Sequence, residues 1–403
     1  MMPVDPFRLG AIRLVLCTGL WLAATASARP FLPADDAMVL ERLPYRAESP
    51  EYRALTRLRE DLKREPDRLD LALDLATRYI EMERSDSDPR FAGYAEAILK
   101  PWWELPEPPV EVLILRATVR QSRHQFDPAL ADLASVLRRD PRHRQAWLTR
   151  AVILTVMGQY ADAERSCRPL VRLADQLVAA SCLGSVWALS GRADASDALL
   201  SAAVSSSPKA APEVRLWALT ILAEIAARQG WARKAQDRFD EALSLSKVAG
   251  RRDPYLLSAY ADFLLDQERH AEVLDLLRRE IRIDGLLLRS ALAEKALGSA
   301  ALGTHIETLK ARFDAANARG DALHQGDEAR FLLHLRNEPN LALRLAQANW
   351  SVQREPRDAR VLLEAALAAG EPDAARPVLE MLEHTALKDP ALRRLVRRLQ
   401  ATR

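Results

Sequence analysis

Several residue types that would support other classes of protein are scarce in this chain of 403 residues. Glycine occurs 14 times and aromatic residues make up 6%, which argues against an all-β design or a glycine-rich nucleotide-binding one. The formal net charge is only +2, from 58 basic and 56 acidic residues, so bulk charge does not indicate a nucleic-acid binder. Hydrophobic residues make up 49%, which is enough apolar mass for a core and excludes a highly charged disordered chain.

Known signatures of catalysis and metal binding are also lacking. No two of the seven histidines stand four residues apart on one predicted helix, and the sequence has no phosphate-binding glycine loop, no Gly-x-Ser-x-Gly and no Cys-x-x-Cys. We therefore expect no catalytic residues, no metal and no cofactor. The alternative is the helical-solenoid region of an envelope enzyme with an unrecognised catalytic site, because function belongs to sites rather than to folds.

The first 28 residues have the pattern of an export signal. Arg8 and Arg13 form a positive region, an apolar run follows over 14–24, and residues 26–28 are small, as signal peptidase requires. The run is shorter than the roughly 20 apolar residues of a spanning helix. We expect cleavage after Ala28 and an exported, periplasmic product without a membrane span; retention of the signal as an anchor is the alternative.

Alanine, leucine and arginine dominate the rest of the chain, and all three are strong helix formers. Amphipathic stretches alternate with short Gly, Asp-Pro or Glu-Pro breaks, and internal repetition is visible. Helices this short cannot bury their apolar faces alone, so the pattern predicts helix pairs that stack on one another. The predicted units begin near Leu69, Val110, Arg144, Leu177, Leu216 and Pro254, a pitch of 33 to 41 residues.

Small residues recur at matching places in these units. In the unit from Arg144, Trp147 has the early aromatic position, Ala151 the small position and Gly158 the turn. In this pattern the chain resembles the tetratricopeptide repeat family from about Leu69 to Leu277. The resemblance implies an all-α, right-handed superhelical solenoid of antiparallel helix pairs. It also implies a non-catalytic scaffold for protein–protein or protein–peptide interaction; with the export signal, we expect it to support the assembly or function of a cell-envelope or exported system.

Four regions are expected along the chain: a signal peptide over 1–28, an irregular arm over 29–50, tetratricopeptide-like repeats over 51–283 and degenerate helical repeats over 284–403. The last helix has leucines and a valine on one face and arginines on the other, as in a solvated C-terminal cap. A generic helical bundle without the repeat is the alternative.

The resemblance places certain first-helix residues on a concave groove. They are mostly acidic or hydroxyl-bearing, with a single arginine, and so they do not form the set of Lys, Arg and Asn with which family members clamp a C-terminal carboxylate. A basic or polar extended peptide is therefore the expected partner, by charge complementarity, and a nucleic acid is not. The candidate partner-binding residues are Asp70, Asp74, Thr77, Glu81, Glu111, Thr118, Gln121, Gln145, Thr149, Ser181, Ser185, Glu224, Arg228, Asp262 and Asp266.

Two residue pairs leave alternatives open. Trp102 and Trp103, in a proline-rich insertion, are either docking aromatics or plugs that fill a gap in an irregular unit. Cys167 and Cys182 lie on consecutive predicted helices. In an oxidising compartment they are candidates for a disulfide, and two buried free thiols are the alternative.

Overall fold

The computed structural model describes Asp35 and residues 50–320 and 325–401, whose helices belong to one compact unit, Tyr45–Arg403. The predicted signal over 1–28 lies outside the described residues, and so does the predicted arm over 29–50, apart from Asp35 and Pro50. The described part of the chain is all-α and contains no strand.

The helices are α1 (Pro50–Arg64), α2 (Leu69–Asp86), α3 (Arg90–Trp103), α4 (Val110–Ser122), α5 (Phe126–Arg139), α6 (Arg144–Val156), α7 (Tyr160–Cys167), α8 (Leu170–Leu173), α9 (Gln176–Leu189), α10 (Ala193–Ser206), α11 (Pro212–Arg228), α12 (Ala232–Val248), α13 (Pro254–Asp266), α14 (His270–Leu277), α15 (Asp284–Leu297), α16 (Leu302–Ala318), α17 (Gln325–Phe331), α18 (Pro339–Val352), α19 (Pro356–Ala369), α20 (Arg376–Thr385) and α21 (Pro390–Ala401). A π-helical turn (Leu332–Arg336) follows α17, and a 3-10 turn (Pro372–Ala375) precedes α20.

The helices pair as the sequence predicts. Each predicted repeat begins within four residues of the start of α2, α4, α6, α9, α11 or α13, and each of these helices packs on the second helix of its own repeat. The prediction of an all-α array of tetratricopeptide-like helix pairs is therefore confirmed. The proline-rich insertion starts later than expected, because α3 continues through Pro101 and ends at Trp103.

Glycine supplies the turns and one of the close contacts inside the pairs. Gly158, Gly191 and Gly230 have φ of +75°, +76° and +78°, a backbone region that costs a residue with a Cβ about 1–2 kcal/mol. Gly184 lies where α9 crosses α10, and a Cβ on it would come within 2.6 Å of Leu200 Cδ1. These recurring small residues thus act as the packing positions that the repeat pattern assigns to them.

The C-terminal helices do not simply extend the stack. The backbone N–H of Arg354, just after α18, donates to the carbonyl of Val156 at the end of α6, at 2.8 Å. Buried side chains of α6, α7 and α9 share one hydrophobic core with those of α15 to α21, including Leu154, Leu362 and Leu395. The segment from α17 onward therefore returns to the third and fourth repeats.

Candidate binding cavity inside the ring of first helices

The first helices of the repeats form a ring. Helix α2 contacts α4, and the contacts continue through α6, α9, α11 and α13, which in turn touches α2. We call these six helices the inner ring. An open groove, as the repeat resemblance implies, is here closed by the contact between α13 and α2.

A cavity of about 950 Å³ lies against the inner ring, within the range of volumes that hold ligands in proteins. Most ring helices line it with their C-terminal halves, including Thr118 of α4, Thr155 of α6 and Ser185 of α9. The C-terminal part of the chain supplies further lining, at 353, 355–357, 389–391 and 394. The cavity is thus built jointly by the repeats and by the returning C-terminal segment.

The returning segment follows the edge of the repeats at which the glycine turns lie. A Cβ on Gly158 would be 3.3 Å from Cβ of Arg354, and one on Gly191 would be 3.0 Å from the carbonyl oxygen of Thr385. The next turn, after α11, faces Pro390. Three successive turns therefore meet three successive points of the C-terminal segment, and a Cβ at either of the first two turns would make an unusually tight contact with that segment.

At one end of the cavity, the acidic residues form ion pairs with arginines from this segment and from α15. Asp262 accepts from Arg289 at 2.6 Å and from Arg330 at 2.7 Å, and Asp266 accepts from Arg360 at 2.6 Å. Burial by itself would raise the pKa of Asp262, but the two guanidinium groups outweigh it and hold the pKa well below its usual range. This end of the cavity therefore already binds guanidinium groups of its own chain.

A second polar cluster lies where α11, α13 and the start of α19 meet. The Tyr255 hydroxyl donates to Glu224 Oε1 at 3.0 Å, Arg228 lies 3.8 Å from Glu224, and Arg357 donates to Glu355 at 2.6 Å. Burial raises the pKa of Glu224 despite Arg228, and it raises that of Tyr255 well above its usual value. Tyr255 still keeps 47% of its surface accessible, since it faces the cavity.

Seven of the predicted groove residues line this cavity: Thr118, Gln121, Ser185, Glu224, Arg228, Asp262 and Asp266. Six of the others are exposed but do not line it: Asp70, Asp74, Thr77, Glu81, Glu111 and Gln145. Thr149 and Ser181 are buried at 5% and 0% exposure. Thr77 and Glu81 lie on the same helical stripe as Arg84, which lines the cavity.

Sequence reasoning missed the residues that complete the cavity. Tyr255 could have been found, because it lies seven residues before Asp262 and hence on the same helix face. Glu83 lies two residues beyond the last selected position on α2. Glu355 and Arg357 carried no local signal, since their place depends on the return of a distant segment.

The two residue pairs with open alternatives are placed as follows. Trp102 and Trp103 are partly buried and pack against the core formed by α1 to α4, and guanidinium groups of α4 lie 5.7–5.8 Å from the Trp103 ring. This packing fits the alternative in which the two tryptophans fill a gap in an irregular unit. Cys167 and Cys182 form a disulfide between α7 and α9, with Cα atoms 5.6 Å apart. Both cysteines are buried, and Cys182 also lines the cavity.

In residues 50–320 and 325–401, no group of three or more His, Cys, Asp or Glu side chains is arranged to hold a metal ion. None of the helices described is both long and apolar enough to cross a membrane.

No protein-family model matches this sequence, and no curated protein matches it significantly. Solved structures with a similar course of the chain include the APC/C hetero-tetramer Cut9-Hcn1, with 15% identity, a TM-score of 0.40 and coverage of 78% of this chain and 52% of the other. Yeast Tom70 has 16% identity, a TM-score of 0.38 and coverage of 86% and 62%. A tetratricopeptide repeat protein from Parabacteroides merdae has 13% identity, a TM-score of 0.32 and coverage of 79% and 99%.

This chain therefore spans about half the length of the matched chain of the Cut9-Hcn1 hetero-tetramer and somewhat less than two thirds of Tom70. At these identities and scores, the similarities carry no conclusion about partners or activity.

Proposed function

We propose that this protein is a non-catalytic, exported scaffold that binds a segment of another protein at its inner ring. The observation that supports this most directly is the cavity of about 950 Å³, whose walls come from six repeats and from the C-terminal segment. A pocket assembled from so many elements holds a fixed shape, and a fixed shape reduces the entropy that binding costs.

The exposed part of the ring helices suits a basic or polar segment as it approaches the cavity. Asp74 and Glu81 of α2 and Glu111 of α4 are exposed and continue the stripes that lead into the cavity. Acidic residues along such a path attract basic segments and raise the rate of encounter.

Export rests on the predicted signal and is supported by the disulfide. Disulfides persist in oxidising compartments such as the bacterial periplasm and are rare in a reducing cytosol. In its native host, the protein should fractionate with the periplasm and begin at Arg29 by N-terminal sequencing. A cytosolic protein that retains residues 1–28 would contradict export.

Binding at the inner ring is tested by site-specific photo-crosslinking in the native envelope. A photoreactive residue at Glu81 or Thr118 should crosslink a discrete partner, and one at Asp237, exposed on α12, should not. With the photoreactive residue at Thr118, a triple replacement of Asp74, Glu81 and Glu111 by Lys should reduce the crosslinking. Equal crosslinking from Asp237, or no crosslinking from the inner positions, would refute the proposal.

A further inference from the structure

The carboxylates that line the cavity differ in what already binds them. Three accept from arginines within hydrogen-bonding distance, namely Asp262, Asp266 and Glu355. Asp253 and Asp389 accept from backbone N–H groups at the starts of α13 and α21. Arginines or backbone N–H groups at helix starts therefore already engage these five.

Glu83 and Glu224 are the two that remain. Within the described residues, Glu83 interacts with the hydroxyl of Ser122, and Glu224 has the Tyr255 hydroxyl at 3.0 Å and Arg228 only at 3.8 Å. Burial raises the pKa of both carboxyl groups, because the arginines nearby do not fully offset the loss of water. A cation brought into the cavity would supply the missing compensation.

The wall beside Glu224 suits the stem of a long basic side chain. Trp217, Ile221 and Glu224 follow one another at helical spacing on α11, and all three line the cavity. Lysine and arginine bury their methylene stems along apolar surface while the charged head reaches a polar group. The indole and the isoleucine offer that surface, and the carboxylate lies at its end.

The neighbouring arginines do not fill this position. Arg357 is held by Glu355 at 2.6 Å, and Arg228, on the same helix as Glu224, stays beyond hydrogen-bonding distance at 3.8 Å. At the other end of the cavity, guanidinium groups from elsewhere in the chain bind Asp262 and Asp266 at 2.6–2.7 Å. A basic side chain from another protein could bind the carboxylate of Glu224 in the same way.

We propose that the cavity recognises a lysine or arginine side chain of the bound segment, with its stem along Trp217 and Ile221 and its cation on Glu224. Tyr255 acts as a positioning residue, because its hydroxyl holds Glu224 Oε1. This inference rests on the proposed function and names the residue type that the site selects.

The probes are capped pentapeptides with a central Lys, Arg, norleucine or Glu between alanines, titrated into the mature protein by calorimetry and NMR. We expect the Lys and Arg peptides to bind at least tenfold more tightly than the norleucine and Glu peptides. Glu224→Gln, which keeps the side-chain shape, should remove this preference, and Asp237→Asn on α12 should leave it unchanged. Tyr255→Phe should weaken it by a smaller factor.

Several results would overturn the inference: equal affinity for the norleucine and Lys peptides, no binding of any peptide, or an unchanged preference in the Glu224→Gln protein. Circular dichroism of each variant checks that the helices are intact. If inner-ring crosslinks to a partner persist while the basic preference is absent, the inference fails and the proposed function stands. Loss of those crosslinks would instead refute the function itself.

Discussion

The disulfide between Cys167 and Cys182 gives a prediction whose magnitude follows from the fold. It closes a loop with a sequence separation of 15, and in the chain-entropy model such a crosslink restricts the unfolded chain by about 3 kcal/mol. Both cysteines are buried, so the double variant Cys167→Ala and Cys182→Ala avoids placing a hydroxyl in the core. We expect its free energy of unfolding to fall by about 3 kcal/mol.

The loss should be concentrated near the crosslink, because each repeat mainly contacts its neighbours. Guanidinium titration would measure the change in unfolding free energy. Hydrogen exchange should show that the double variant opens faster than the wild-type protein in α6 to α10, and that the increase is smaller in α2 to α4. Wild-type protein treated with a reductant under partly denaturing conditions is the matched control, since it loses the crosslink but keeps the side chains. Coincident unfolding curves for the oxidised protein and the variant, or two alkylatable thiols in the unreduced protein, would refute the reasoning.

Three further predictions concern the closure of the cavity and the charges around it. Gly191→Ala should destabilise the protein by about 2 kcal/mol more than Gly370→Ala. Both residues have positive φ, but an added Cβ would come within 3.0 Å of Thr385 at Gly191 and would meet no other atom within 4 Å at Gly370. Thermal unfolding tests this, and equal losses of stability would contradict it. Asp262→Ala should lower the free energy of unfolding, measured by denaturant titration, by about 3 kcal/mol, because it leaves the buried guanidinium of Arg289 without its main partner. Asp70 is exposed, and Asp70→Ala should change the free energy of unfolding little. Similar effects of the two substitutions would contradict the pairing of Asp262 with Arg289. Burial raises the pKa of Asp358 to about 6, so the protonated carboxyl group stabilises the fold below its unfolded pKa, and this stabilisation is lost as the pH rises through 6. Relative to the Asp358→Asn variant, the free energy of unfolding of the wild-type protein should fall by about 2–3 kcal/mol between pH 4 and 8. Parallel pH profiles of the two proteins would disprove this.

The helix pairs could be predicted because their causes are local. Gly158, Gly191 and Gly230 mark turns that need positive φ, and buried small residues such as Ala163 and Ala235 recur on the second helices of the pairs. The spacing of such residues can be read from the sequence. It predicted the starts of the first helices to within four residues of their places in the structure.

The faces of the ring helices could be predicted in part. Helical periodicity identifies which residues share a stripe, and seven of the selected residues do line the cavity. Periodicity does not reveal how far along a stripe a cavity extends. Asp70 and Asp74 therefore lie on a suitable face but outside the cavity, while Arg84, further along the same helix, lines it.

The sequence by itself thus determined the all-α repeat, its register and the acidic and hydroxyl-rich character of the first helices. Only the tertiary structure decided that α13 meets α2, that the segment after Val352 returns along the glycine turns, and that Asp262 and Asp266 bind arginines of their own chain. The physical reason is range: turns and stripes depend on neighbours within a few residues. Closure of the ring depends on small rotations that accumulate over many repeats and on a core shared by residues some two hundred positions apart.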